Sequence, residues 1–258
     1  MKIYSWNVRY DNRKMQEVEK YIESLDADII ALQEVPEKLL EWLKTLPYFC
    51  VSSTDWVNRY GKFYLVILSK FPILTEKSLE LSQDIYHNRD SRLSLIFKKI
   101  MKWGGSFSNR TILGAEIELP DGTKCVVFSV HLFLLSGSEV RYKEFELLEK
   151  ELESEGLYII CGDFNILSSP HITLINVLLG GTIDQLLWWK EKRFFNKIFS
   201  RLGLCNPLAG KITHPISLSQ LDYIILSSSF SLKRSKVLLQ PHGSDHFPIM
   251  VEVKDSST

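Results

Sequence analysis

Six apolar segments of this chain are each bounded by a residue that can bind a hard cation or carry a proton. Asn7 closes SWN, Gln33 and Glu34 close LQE, and His131 closes SVHL. Asp163 and Asn165 follow an apolar run in CGDFN, Asp222 begins LDYIILS, and Asp245 and His246 precede the last apolar run in GSDHFP. Carboxylate oxygens suit Mg²⁺ or Mn²⁺ rather than zinc. Asp and His together suit activation of water and stabilisation of a charged transition state. Taken singly, each residue has a plainer explanation. An Asn after a strand forms turns, Glu34 beside Pro36 can be a helix-start charge, and His131 can be a satisfied core histidine. Asp222 can cap its strand, and GD followed by Asn is common turn composition. Six such coincidences are harder to explain that way. Strand ends of a rigid sheet also hold such groups in fixed geometry.

The intervening pattern supplies the strands. Lys2–Val8 alternates and reads as a strand. Asn12 is placed to cap a helix carrying Met15, Val18, Ile22 and Leu25 at helical spacing. Asp28–Gln33 is a compact apolar strand, and Pro36 opens a helix with Leu39, Leu40, Leu43 and Leu46 on one stripe. Phe63–Leu68 and Leu93–Phe97 read as strands. Thr111–Leu119 and Lys124–Leu132 form a hairpin across Pro120-Asp121-Gly122-Thr123. Glu139–Glu153 is an amphipathic helix with Phe145, Leu148 and Leu152 inward, and Leu157–Cys161 a buried strand. Leu186–Leu202 reads as helix. Leu221–Leu226, Ser231–Leu239 and Phe247–Val253 read as strands. This mixture predicts sheet packed on sheet with helices outside. No linker splits the chain, so residues 1–253 form one domain, with a flexible tail over 254–258.

Composition narrows the classes. The 258 residues are 45% hydrophobic and 24% charged, ordinary for a globular chain and unlike disorder, collagen or a coiled coil. Lys+Arg and Asp+Glu both number 31, so any nucleic-acid footprint is a local patch. Four cysteines at 50, 125, 161 and 205 form no CxxC pair, and Cys125 and Cys161 sit in apolar runs as core thiols. The N-terminal residues do not read as a signal peptide. The best apolar run, Ile172 to Trp189, contains Gly180, Gly181 and Asp184, too polar for a membrane span. A cytoplasmic, reducing setting is expected.

In this order WN, LQE, GDFN, LDY and SDH resemble the endonuclease/exonuclease/phosphatase superfamily, which is DNase I-like. LQE alone is a weak signal; GDFN and SDH together are specific, and the likeness spans Asn7 to His246. The resemblance implies an α+β fold, a four-layer α/β/β/α sandwich with the site at one end. It makes Glu34 the principal Mg²⁺ (or Mn²⁺) ligand, with Asn7 beside it and Asp245 helping to hold metal. Asp163 would orient or deprotonate the attacking water, and Asn165 would contact the phosphate. His246 would stabilise the pentacovalent phosphate or exchange a proton with it, oriented by Asp222. His131 would donate a hydrogen bond to a phosphate oxygen, and Arg110 would be a further phosphate contact. The exonuclease III branch has an Asp where Arg9 stands, with Asp11 out of register, and a tyrosine where His131 stands. Both departures point toward DNase I-like and bacterial members.

The expected activity is a divalent-metal-dependent phosphodiester hydrolase, a nuclease working by in-line attack of water on DNA or RNA. The alternative substrates are a phospholipid or phosphoinositide, as in sphingomyelinases, or a tyrosyl-DNA adduct. Nucleic acid is the expected partner, phospholipid the alternative, and no obligate protein partner is implied. A non-catalytic scaffold would have lost the metal Glu or the SDH histidine; both are present. Over Leu186–Leu202, Trp188, Trp189, Phe194 and Phe195 lie beside Lys190, Lys192, Arg193, Lys197 and Arg201. Such a segment can stack on bases, meet a lipid surface, or simply pack its rings on the sheet. The stretch from Lys98 to Arg110 is a second basic–aromatic loop.

Overall fold

Along the inner strands, every second residue is apolar until one end, where it turns polar. In β1 (Lys2–Asn7) the row is Ile3, Ser5, Asn7; in β2 (Ile29–Pro36) it is Ile29, Ala31, Gln33. In β7 (Lys124–His131) it is Cys125, Val127, Ser129, His131, and in β8 (Tyr158–Asp163) Ile159, Cys161, Asp163. In β10 (Asp222–Ser227) it runs the other way, Leu226, Ile224, Asp222. The apolar members of these rows share one buried cluster between two sheets. Period-two alternation therefore carries Asn7, Gln33, His131, Asp163 and Asp222 to the same inner space.

The computed structural model describes residues 1–58, 60–81, 110–134, 138–152, 156–167, 169 and 189–254. With β3 (Phe49–Asn58), β4 (Gly61–Ser69), β5 (Ile73–Glu80), β6 (Thr111–Glu118), β9 (Leu204–Cys205), β11 (Leu232–Val237) and β12 (Ile249–Val253), these strands form two six-stranded sheets. One has the order β11-β12-β1-β2-β4-β3, the other β5-β6-β7-β8-β10-β9. Each has one central parallel pair, β1 with β2 and β7 with β8. Parallel neighbours need a crossover. Helices α1 (Met15–Ser24) and α3 (Ser138–Glu149) lie in those two crossovers. Trp6, Ile30 and Leu32 on the outer face of the first sheet pack with Val18 and Ile22 of α1 and Leu39, Leu40 and Leu43 of α2 (Glu37–Leu43). On the second sheet, Phe128, Ile160 and Tyr223 pack with Phe145 and Leu148 of α3 and Phe195, Ile198 and Phe199 of α4 (Trp189–Arg201). The result is the expected four-layer α/β/β/α sandwich, an α+β fold.

Some local expectations change. Asn12 does not cap α1, which follows Lys14 without a side-chain cap. Its oxygen accepts the Lys14 N–H at 2.8 Å, and its amide bonds the carbonyls of Val8 and His242. It therefore ties three chain segments together. Strands β3, β5 and β9 were not legible. β3 carries turn-like composition in STDWVN, and β5 is an edge strand with little apolar pattern. The anticipated strand Leu93–Phe97, the loop residues 98–109, residues 186–188 including Trp188, and the tail after Lys254 lie outside the described residues. Cys125 and Cys161 are buried between the sheets as expected. In α4, Phe195 packs inward while Trp189 and Phe194 stay exposed, and Arg201 pairs with Glu149. No helix among the described residues is long and apolar enough to cross a membrane.

Candidate active site

Two β-bulges aim the acids at this polar end. In β2 the residues facing the inner core are Ile29, Ala31 and Gln33, so strict alternation would send Glu34 outward with Ile30 and Leu32. The register with β4 instead shifts between Leu32 and Val35, and Glu34 adopts a left-handed φ of 56°. A bulge of this kind bends the strand and re-aims a side chain. Across β4, strand β3 has its own shift between Thr54 and Trp56, leaving Asp55 as the extra residue. Both bulges end in one network: Asp55 accepts the Glu34 N–H at 3.0 Å and contacts His131 Nδ1 at 2.9 Å. In β8, Gly162 has φ 139°, and a Cβ there would fall 1.9 Å from the Val130 carbonyl oxygen. Only glycine lets β8 lie this close to β7 just before Asp163.

The functional side chains then meet across the sheets. Asn7 Nδ2 donates to both Glu34 Oε1 and Asp163 Oδ2, each at 3.2 Å. Its oxygen accepts the Arg9 N–H at 3.0 Å, so the amide nitrogen, not the oxygen, faces the carboxylates. Asn7 therefore spaces two acids. His131 Nε2 stands 3.9 Å from both Glu34 Oε1 and Asp163 Oδ2. Asp222, Asp163 and His131 are direct register partners across β10, β8 and β7. His246 Nδ1 meets Asp222 at 2.9 Å, and its Nε2 lies 3.6 Å from Asp163 Oδ2. The turn carrying His246 is sewn to β1: Ser244 Oγ donates to the Asn7 carbonyl, and Trp6 Nε1 donates to the His246 carbonyl. Asn165, at φ 51°, donates from Nδ2 to the Leu132 carbonyl at 2.8 Å.

Burial and charge oppose each other here. Burial pushes the Glu34 and Asp163 carboxyls above their usual range, partly offset by His131 and His246 respectively. Burial should lower both histidines. Asp55 overrides it at His131, raising it to about 9, and Asp222 with Asp163 raises His246 to about 10. Asp245 is held at about 2 despite burial, by His214, His246 and Arg9. Five formal carboxylates (Glu34, Asp55, Asp163, Asp222, Asp245) thus gather with the cations His131 and His246, while Arg9, bonded to Asp11 at 2.6 Å, reaches Asp245 only at 4.0 Å, so negative charge is in excess. An oxygen-rich set with that excess of negative charge fits a divalent cation.

The structure separates the other two expected contacts. Asp245 groups with His214 and His246, and Asp163 with Asp222 and His246, the ligand atoms of each group lying within 4.8 Å of one another; Glu34 belongs to neither group. Arg110 is engaged within the protein. It is buried, donates to Glu144 at 2.8 Å and also bonds the His131 carbonyl. Its guanidinium braces the backbone behind His131. The brace continues inward. Glu144 accepts the Phe133 N–H at 2.7 Å, and Arg141 donates to the Phe133 carbonyl and to both oxygens of Glu191 in α4. Removing one member of such a buried set strands its partner. Glu144→Ala is expected to cost about 3–5 kcal/mol, a Tm drop of roughly 6–20 °C by calorimetry.

Sequence reasoning missed Asp55 and His214. Asp55 carried no motif. Its role arises from a bulge and a contact with a residue 76 positions away. His214 precedes Pro215 in a loop, and only the fold sets its ring against that of His246, centroids 4.7 Å apart.

This sandwich, with acids and histidines at one end, defines a class in which hydrolysis of phosphate esters is the common chemistry. The chain belongs to the endonuclease/exonuclease/phosphatase family, whose model matches residues 4–246 and whose members are hydrolases of phosphoester bonds. No curated protein sequence matches it. Among solved structures, an endonuclease/exonuclease/phosphatase from Beutenbergia cavernae aligns at TM-score 0.72 and 14% identity, covering 98% of this chain and 71% of that one. A mannosyl-6-phosphatase of Bacteroides thetaiotaomicron aligns at 0.65 and 18%, covering 99% and 100%. TDP2 of D. rerio, complexed with single-strand DNA product, aligns at 0.64 and 17%, covering 99% of each chain.

Proposed function

We propose that the protein is a divalent-metal-dependent phosphodiester hydrolase acting on nucleic acid. The observation that carries this reading is the Asn7 amide bridging Glu34 and Asp163, with Asp163 facing a histidine held by Asp222. A cation held at Glu34 would supply neutralisation of charge on the phosphoryl oxygens. The chain's own residues do the rest. Tyr10 N–H fixes Glu34 Oε2 at 3.0 Å, which orients the carboxylate. Asp163, its Oδ1 taken by the Asn165 N–H at 2.9 Å, presents Oδ2 to orient water and accept its proton. His131 and His246, kept protonated by Asp55 and Asp222, direct Nε2–H groups at the phosphoryl group as its negative charge grows. Asn165 gives one amide proton to Leu132 and offers the other to a phosphate oxygen.

Nucleic acid is favoured by the rings beside Glu34. Tyr10 packs edge-on to Trp56 at 4.9 Å and faces Tyr60 at 6.4 Å, and Tyr60 is 65% exposed. Such rings offer bases a stacking surface worth about 1–3 kcal/mol per base. The test is a substrate panel with Mg²⁺ or Mn²⁺: plasmid DNA, single-stranded DNA, RNA, a 5′-tyrosyl oligonucleotide and sphingomyelin. Cleavage of DNA or RNA is expected. Turnover of sphingomyelin alone would move the substrate to phospholipid, and turnover of the tyrosyl adduct alone would make the protein an adduct-removing phosphodiesterase.

A further inference from the structure

We propose that His214 is a substrate-binding residue whose Nε2–H donates a hydrogen bond to an oxygen of the phosphoester held against His246. The proposal rests on the hydrolase reading above and adds a contact which that mechanism does not use. His214 lies in the loop between β9 and β10, and its ring tilts 53° against that of His246. A ring nitrogen of each histidine and an oxygen of Asp245 lie within 4.8 Å of one another.

The tautomer decides what this ring can do. The backbone N–H of Ser217 donates to His214 Nδ1 at 3.1 Å, and Ser217 Oγ lies 2.8 Å from the same nitrogen. A backbone N–H can only donate, so Nδ1 carries a lone pair and the neutral ring's proton sits on Nε2. A histidine that ligates a metal has the reverse arrangement: one nitrogen bare toward the ion, the other donating to an acceptor. His214 is therefore set as a donor to an anion. Nε2 looks toward Asp245 Oδ2 at 3.9 Å, a long contact that still helps to hold that carboxylate low, and Arg9 Nη1 reaches the same oxygen at 4.0 Å. Protonated His246 offsets the Asp245 charge beside the donor, and Arg9, bonded to Asp11 at 2.6 Å, adds to it at longer range.

The loop holds this ring in register with the proposed site. Thr213 Oγ1 accepts the N–H groups of Leu221 and Asp222 at 3.0 and 2.9 Å, and His214 N–H bonds the Ser219 carbonyl. The Ser217 carbonyl accepts the hydroxyls of Ser169 and Ser219. His214 is thus fastened to Asp222, which orients His246.

The test compares wild type, His214→Phe and His214→Gln in Mg²⁺, on the best substrate of the panel and in titration with inorganic phosphate followed by histidine ¹H–¹⁵N NMR. His214→Phe keeps a ring but loses the donor and also the acceptor of the Ser217 N–H; it is expected to lower kcat/KM about 10–150-fold and Tm by a few degrees, and the phosphate-dependent NMR shift separates the lost substrate contact from the looser loop. His214→Gln places an N–H near the same position and should recover much of that loss. In wild type the His214 proton should sit on Nε2, and its signal should move as phosphate binds. Full activity in His214→Phe, a proton on Nδ1, or a signal indifferent to phosphate would overturn the assignment. Wild type that hydrolyses no phosphoester would instead sink the hydrolase reading, and the phosphate titration would still decide for or against His214.

Discussion

Glu34→Gln is expected to bring hydrolysis down to the level of protein stripped of metal. Glu34 is the carboxylate that the bulge in β2 turns inward, and Asn7 and the Tyr10 amide already orient both its oxygens. An amide keeps the shape and removes the charge that a hard cation requires. Changes one shell further out commonly cost about 10–100-fold in metal affinity, and loss of the ligand itself should cost more. Isothermal titration with Mn²⁺ and rates across a Mg²⁺ series measure both effects. Burial holds the Glu34 carboxyl above its usual range, so loss of the charge is not itself destabilising without metal, but the Gln amide can accept from only one of Asn7 Nδ2 and the Tyr10 N–H, and a small fall in Tm is expected. Full turnover by wild type in excess EDTA after metal stripping would sink the metal-dependent mechanism altogether.

His246→Ala should cost about 10²–10⁴-fold in kcat, the usual range for a positioned acid–base group, and Asp222→Asn somewhat less. The pH dependence separates a catalytic from a structural histidine. His246 is raised to about 10 against an ordinary value of 6.5, so the protonated form dominates at neutral pH. Activity that needs the imidazolium falls as pH rises through that value. A bound divalent cation repels the imidazolium and draws this alkaline limb lower, and Asp222→Asn should draw it lower still. Stability follows the same sign. His131 and His246 bind protons more tightly when folded, so their contribution is complete below about 6.5 and is lost as pH rises through about 9 and 10. Near-normal rates in His246→Ala would mean that this histidine only supports the turn that Ser244 fastens to β1.

The sequence by itself determined which strands form the inner core and which residues close them. Apolar alternation and a polar residue at the next inward step are local, and both are written in SWN, SVHL, CGDFN and LDYIILS. The order of GDFN and SDH likewise pointed to the family. Four decisions belonged to tertiary structure alone. The bulges of β2 and β3 break the alternation on which the reading relied, and they come from pairing both strands to β4. Asp55 became the partner of His131 only when the two sheets faced each other. Arg110, which looked like a phosphate contact beside a strand, is drawn inward because α3 brings Glu144 to it across 34 residues. His214 acquired its tautomer from the amide of Ser217 and its place beside His246 from the loop that Thr213 ties to β10. Each is a contact between segments with no shared periodicity. Composition and spacing carry no trace of it, and only closure of the sandwich brings the partners within bonding distance.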